Sequence, residues 1–477
     1  MPVRPLGKIG IDGNAPTLPN GCLAPQMKNL DLFAHTQTFF VRVNFILRPW
    51  NHPTDTAEHC GKSWFATFDH IVNGLRERGI AVYALVGSQS TPKADMGDCL
   101  REPQPNPEAE NWVRLYVDCF KAIVEHFHDR IWAFESFNEP NDWHGGTKSW
   151  VHPYWMARIL KEIYVTIKPQ FDVLLISGPL LAHDLPSGPD DASRYLNDVY
   201  RYGIQVHGWD EVKKDFGSYP LDGIGYHLYV CERAESTPKD VRATYKKYID
   251  AIWKVITKYE GADTPKRIYL SEFGWTSDNG EDFQANMMRA GIEYILHEPR
   301  IAYASWFCLQ DFPGKNYGLY RSEGLAPANR KTRPYWVYRG LLTKITIPGV
   351  PPGVGRDKDG TLYHPIVECY LRHGGEVAIG LPFDNGGGTA VHRWGNGWVQ
   401  DFRTASGRRE SIIMLREGEK IAHILYGPIR DEYIFRQGGP LGKLGYPVTD
   451  VYTDEWGLPG CKFEGGEITC RVVTKLR

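Results

Sequence analysis

No apolar run in this 477-residue chain approaches the roughly 20 residues that a helix needs to cross a bilayer. The opening MPVRPLGKIG lacks the apolar core of a secretion signal. The expectation is the mature form of a secreted or cell-wall-associated protein with a methionine restored, with a cytoplasmic protein as the alternative. An excess of charge is missing too. The 55 basic and 57 acidic residues leave a net charge of −2, which argues against a partner held through phosphates, so nucleic acid is not expected. None of the nine cysteines falls in a C-x-x-C spacing, so no metal site is expected, and the odd count leaves at least one thiol unpaired. No Gly-rich dinucleotide turn follows the first apolar strand. HCGKS at 59 to 63 ends like a phosphate loop, but Thr56 stands where its first glycine belongs. No G-x-S-x-G elbow is present for an esterase. His126 and His128 are two apart in a helical pattern, and such positions do not share a helix face.

What is present is an alternation. Short β-rich apolar runs occur at 7 to 12, 38 to 46, 80 to 87, 131 to 137, 172 to 178, 222 to 229, 267 to 275 and 301 to 308. Amphipathic stretches such as WVRLYVDCFKAIVEHF separate them, with apolar residues at three- and four-residue steps. Eight strands each followed by a helix specify an α/β fold, a closed (β/α)8 TIM barrel, over residues 1–345. The Pro- and Gly-dense stretch at 346–360 reads as a linker. Residues 361–477 read as a β-rich repeat domain in which Pro365, Tyr370, Gly374, Gly375 and Pro382 recur as Pro428, Tyr433, Gly438, Gly439 and Pro447. In CKFEGGEITC, a two-residue turn at Gly465 and Gly466 sets Cys461 across from Cys470, either as a disulfide or as two thiols.

In such a barrel the active-site face is built from the C-terminal ends of the strands. Glu139 ends the fourth strand run and Glu272 the seventh, and two carboxylates reaching one cavity are what glycoside hydrolysis requires. Fifteen Trp, 26 Tyr and 20 Phe supply flat apolar surface of the kind that sugar rings stack on, although cores use the same residues.

SFNEPN around Glu139 and YLSEFGW around Glu272 resemble the strand-four and strand-seven motifs of the clan of retaining (β/α)8 glycoside hydrolases that includes families 5 and 39. VRVNF with Arg42, YHLY with His227 and Tyr229, and SWF with Trp306 extend the likeness to further strand ends, whereas LVGSQS at the third has no histidine where several clan members do. The resemblance implies Glu139 as acid/base, Glu272 as nucleophile, Asn138 on the sugar 2-hydroxyl, Arg42 and Tyr229 holding the nucleophile, and Trp306 as the floor of the cleavage subsite. His227 joins this set as a candidate substrate-binding residue. Trp50, Trp143 and Trp275, in or beside strand-end loops, are candidate sugar platforms. The implied activity is hydrolysis of a β-linked oligo- or polysaccharide through a covalent glycosyl-enzyme, with no cofactor. A transglycosylase and a non-catalytic glycan-binding protein are the alternatives. LGYPVTD with KFEGG, and GLPFD as a degenerate copy, are similar to LGFP repeats of bacterial cell-wall proteins, which implies a cell-envelope glycan as a partner.

Overall fold

In the computed structural model, which describes residues 4–92, 99–142, 150–183 and 191–469, the chain divides into two units. One comprises Met1–Arg76 and Ile80–Leu342, the other Glu77–Gly79 and Thr343–Arg477. The first holds strands β1 (Ile9–Asp12), β2 (Phe40–Asn44), β3 (Ala81–Val86), β4 (Ala133–Ser136), β5 (Leu174–Ile176), β6 (Leu180–His183), β7 (Gly223–Tyr229), β8 (Arg267–Phe273) and β9 (Ile301–Trp306). They form one parallel sheet in the order β5-β4-β3-β2-β1-β9-β8-β7-β6, and a pairing of Ile176 with Gly223 joins β5 to β7 and closes the ring. The fold is therefore a TIM barrel. The fifth expected run, 172–178, holds β5 alone, and β6 is a further strand beyond it: Pro179 offers no N–H to continue the ladder, and a β-carbon at Gly178 would stand 2.6 Å from the Ser136 carbonyl.

Helices wrap the ring because their sequences carry caps and one apolar face. Pro107–Phe127 starts at Asn106, whose side chain accepts from the Ala109 N–H, with proline in the first turn. It buries Trp112, Tyr116, Phe120, Ile123 and Phe127 at three- and four-residue steps. Pro238–Glu260 starts with a reciprocal capping box between Thr237 and Asp240.

Alternation along the strands sorts side chains into layers inside the barrel. The lowest is an aromatic plug of Phe40, Tyr83, Trp132, Tyr269 and Tyr303, with Trp132 centred 4.5 Å from Tyr303 and 5.5 Å from Tyr83. Glycine makes room for it, since a β-carbon at Gly10 would meet the Phe40 ring at 2.4 Å and one at Gly223 the Tyr269 ring at the same distance. Above it Asp12, Arg42, Glu135 and Ser271 form a hydrogen-bonded polar layer beneath the strand ends.

The second unit contains an antiparallel sheet. Its strands are Leu381–Pro382, His392–Arg393, Gly397–Arg403, Glu410–Arg416 and His423–Tyr426, and a three-stranded sheet of Tyr452–Thr453, Pro459–Phe463 and Gly466–Thr469 stands beside it. The sequence repeat has a structural counterpart. Each copy opens a helix at its proline, His364–Arg372 and Gly427–Asp431, and leaves it through paired glycines at positive φ, Gly374 and Gly375 in one and Gly438 and Gly439 in the other. Tyr370 donates to the Gly380 carbonyl at 2.7 Å and packs on Phe402, and Tyr433 donates to the Gly445 carbonyl at 2.5 Å and packs on Phe463.

Two expectations are corrected in this unit. The stretch at 346–360 is no free linker: Ile347, Val350 and Val354 are buried, and the Gln400 side chain is clamped between the Gly353 carbonyl and the Gly355 N–H. The final hairpin turns at Glu464 and Gly465, because Phe463 pairs with Gly466, so Cys461 stands opposite Ile468 and not Cys470. Cys461 is a buried free thiol, and Cys470 lies outside the described residues.

Candidate active site

Arg42 is the hub of the polar layer. Its Nε donates to Glu135 Oε2 at 2.9 Å, its Nη1 to Asp12 Oδ2 at 2.9 Å and Glu272 Oε1 at 2.6 Å, and its Nη2 to Asn138 Oδ1 at 3.0 Å. The guanidinium is buried, and its three carboxylate partners hold its pKa well above the usual value against the cost of burial. One cation among three carboxylates leaves the cluster negative, which favours a proton on any further acid brought close. A side chain at Gly225 would run into Glu135 at 2.9 Å, so the glycine on β7 keeps that carboxylate's place open.

Glu272 enters this cluster because β8 breaks its alternation. Its register against β9 shifts between Leu270 and Phe273, and such a bulge lets the consecutive Ser271 and Glu272 both face the barrel. Burial pushes the Glu272 carboxyl up, opposed by His227 and Arg42. Tyr229 donates to Oε2 at 2.6 Å while Arg42, which can only donate, holds Oε1, an arrangement that suits an ionised carboxylate. Glu139 stands three residues beyond β4. Phe137 at φ 71° and Glu139 at φ 47° both take the left-handed backbone region, at a cost of roughly 1–3 kcal/mol each, the kind of strain that clusters at functional sites.

The proton on Glu139 is tied to the state of His227. Ser271 has one hydroxyl proton and donates it to Glu135 Oε1 at 2.6 Å, where Tyr83 also donates. The contact of 3.1 Å between Ser271 Oγ and His227 Nε2 must then be donated by the imidazole. Burial lowers the His227 pKa to about 3, which favours the neutral ring, and in that state Nδ1 carries a lone pair. Nδ1 lies 2.7 Å from Glu139 Oε1, and with the ring neutral it is Glu139 that supplies the proton of this bond. An oxygen of Glu139 and one of Glu272 come within 4.8 Å of each other, with a His227 nitrogen within the same distance of both. As a cation site this trio is opposed by Arg42, which already occupies Glu272.

A cleft of about 450 Å³ opens above Glu272, Arg42 and Asn138, within the size range of small-molecule sites. Amide side chains of Asn14, Gln26, Asn44, Gln89 and Gln310 line it, with Phe307, Phe312 and Leu325 on its apolar wall. A disulfide joins Cys22 to Cys60 and so ties the loop after β1, whose Thr17, Leu18, Ala24 and Pro25 line the cleft, to the loop after β2.

Arg42, Asn138, Glu139, His227, Tyr229 and Glu272 are thus brought together. The tryptophans are not. Trp306 is fully buried and packs against Phe273 and Trp275, because Tyr303, Ser305 and Phe307 take the inward positions of β9 and leave Trp306 outward. Phe307, the next residue, lines the cleft instead, edge-on to Tyr229. Trp275 is buried, donating to the Val230 carbonyl and stacked on Tyr245. Trp50 is buried with its N–H on the Ala57 carbonyl. Trp143 lies outside the described residues. Asp12, Glu135 and Ser271 were not singled out in the sequence, although a charged residue inside the apolar run IWAFESF, at the parity of the barrel interior, is a readable signal.

Among the described residues no helix is long and apolar enough to cross a membrane. No family model and no curated protein matches the chain. Similar solved structures include an endo-β-1,3-glucanase of family 128 (subgroup II) from Sorangium cellulosum, at 15% identity over 70% of this chain and 98% of that one, with a TM-score of 0.40. A β-glucosidase from Exiguobacterium marinum is similar at 14% identity over 72% and 100%, with a TM-score of 0.47. A family 1 β-glucosidase from Thermotoga maritima is similar at 14% over 70% and 97%, also at 0.47.

Proposed function

We propose that the chain is a retaining β-glycoside hydrolase acting on a β-linked oligo- or polysaccharide, with Glu272 as nucleophile and Glu139 as acid/base. The observation that carries this reading is the pair itself: two carboxyl groups whose oxygens approach within 4.8 Å, Glu272 lining the cleft and held by Arg42 and Tyr229, Glu139 following Asn138 of the cleft wall and held by His227. Retaining enzymes set their carboxyls about 5–5.5 Å apart, whereas inverting ones need roughly 6.5–9.5 Å to admit a water. Glu272, accepting from Arg42 and Tyr229, attacks the anomeric carbon and forms the glycosyl-enzyme. Glu139, protonated against His227, gives its proton to the leaving oxygen and then takes one from the incoming water. Asn138, fixed by Arg42, is placed for the sugar 2-hydroxyl. Attachment of the repeat unit to an envelope glycan, and with it a secreted or wall-associated location, belongs to the same reading and is tested by sedimentation with insoluble cell-wall material.

Proton NMR of the first-formed sugar, from whichever aryl β-glycoside in a panel is turned over, is expected to show the β-anomer first. The α-anomer first would remove Glu272 as nucleophile.

The proton count makes a further prediction. His227 accepts from the neutral form of Glu139, and a hydrogen bond to the neutral form disfavours ionisation. Arg42, Asp12 and Glu272 also face this imidazole. His227→Ala replaces the acceptor by water, so Glu139 gives up its proton more readily, and the alkaline limb of the kcat/KM profile is expected to move to lower pH by about one unit. A limb that stays in place or rises would mean that His227 donates to Glu139.

A further inference from the structure

A second cluster of metal-binding side chains lies far in sequence from the cleft residues, within the second unit. Helix His364–Arg372 carries Cys369 on its buried side, and His373 caps its C-terminus four residues on, one helical turn along the same face. Asp450 follows Pro447 of the second repeat copy, and His423 begins the strand His423–Tyr426. His373 Nε2 lies 3.0 Å from Asp450 Oδ2, and His423 Nδ1 lies 3.3 Å from Asp450 Oδ1. One donor atom each from Cys369, His373 and Asp450 falls within 4.8 Å of the others.

We propose that Cys369, His373 and Asp450 form a zinc site that staples the two repeat copies together, with the fourth position left to water or to His423, which already touches Asp450. Zinc bonds of about 2.0–2.3 Å in a tetrahedron hold their ligand atoms roughly 3.3–3.8 Å apart, so the three atoms grouped within 4.8 Å have to close by about 1.5 Å at most. Thiolate, imidazole and carboxylate together select zinc, whereas calcium and magnesium take oxygen throughout. The remaining contacts suit an outer shell. The Ile424 N–H donates to Asp450 Oδ1 at 3.0 Å and orients the carboxylate. Arg372 Nη2 donates to Asp450 Oδ2 and to the Ala422 carbonyl, both at 3.1 Å, and its half-exposed side chain is free to keep the carbonyl when the carboxylate turns to metal.

The repeat provides an internal control. The positions matching Cys369 and His373 in the second copy are Glu432 and Gln437, which hydrogen-bond to each other at 2.9 Å at the surface. Thiol, imidazole and carboxylate therefore meet once, with Cys369 and His373 from the first copy and Asp450 from the second.

The test uses the full chain with any polyhistidine tag removed. After chelation and dialysis, about one equivalent of zinc should bind, measured by elemental mass spectrometry. Cobalt(II) in its place should give the visible bands of a tetrahedral site and a near-ultraviolet thiolate charge-transfer band. Cys369→Ser should lose the charge-transfer band, and Asp450→Asn should weaken zinc binding by ten-fold or more with the circular dichroism of the chain unchanged. Should either variant fail to fold, the wild-type stoichiometry and cobalt spectrum decide alone. Binding of less than about 0.1 equivalent, or a cobalt complex without a thiolate band, would overturn the proposal and leave Asp450 as the centre of an ion-pair clamp.

Discussion

Glu272→Ala is expected to lower hydrolysis by about 10⁴ to 10⁶ on every substrate, whatever its leaving group, because an easier departure does not replace a missing nucleophile. The loss should not come from unfolding. Arg42 keeps Asp12 and Glu135 as partners, and the cluster carries less uncompensated negative charge without Glu272. Azide tests the position directly. With an activated β-glycoside it should enter the space that Glu272 vacates and attack the anomeric carbon once, giving the α-glycosyl azide. Wild-type-like activity in the variant, or a β-azide from it, would place the nucleophile elsewhere.

Glu139→Ala should behave differently in each respect. A general acid contributes about 10² to 10⁴ in rate where the leaving group needs a proton. Cleavage of an oligosaccharide should fall by that amount. A dinitrophenyl glycoside, whose leaving group departs as a stable anion, should still form the glycosyl-enzyme and then stall for want of a base. Azide should relieve the stall by attacking the intermediate, and two inversions give the β-glycosyl azide. If the two variants respond alike to leaving-group acidity, Glu139 is not the acid, and its proton shared with His227 serves only the packing of the strand end.

The barrel was legible because parallel strands buried on both faces read as unbroken apolar runs, and β1, β3 and β4 are buried at every position. Both carboxylates were legible because a motif marks each strand end. What escaped reading depended on which way a side chain points. SWF marks β9 correctly but leaves open whether Trp306 or Phe307 faces inward, and one residue of register decides it. Ser271 and Glu272 both reach the site only through the β8 bulge, which no local pattern announces. The Cys22 to Cys60 bridge spans 38 residues between two loops, a pairing that spacing alone does not select. In the final hairpin the turn sits one residue earlier than its glycine pair suggests, and that moves the partner of Cys461 by two positions.

In this mechanism Glu272 becomes covalently bonded to the sugar. A 2-deoxy-2-fluoro β-glycoside with a dinitrophenyl leaving group, matched to a glycoside the enzyme turns over, slows hydrolysis of the intermediate more than its formation. Peptide mapping by mass spectrometry after inactivation is expected to find one fluoroglycosyl group, attached at Glu272 in the segment RIYLSEF. An adduct on Glu139 or any other residue, or full turnover without an adduct and with inverted product, would contradict it.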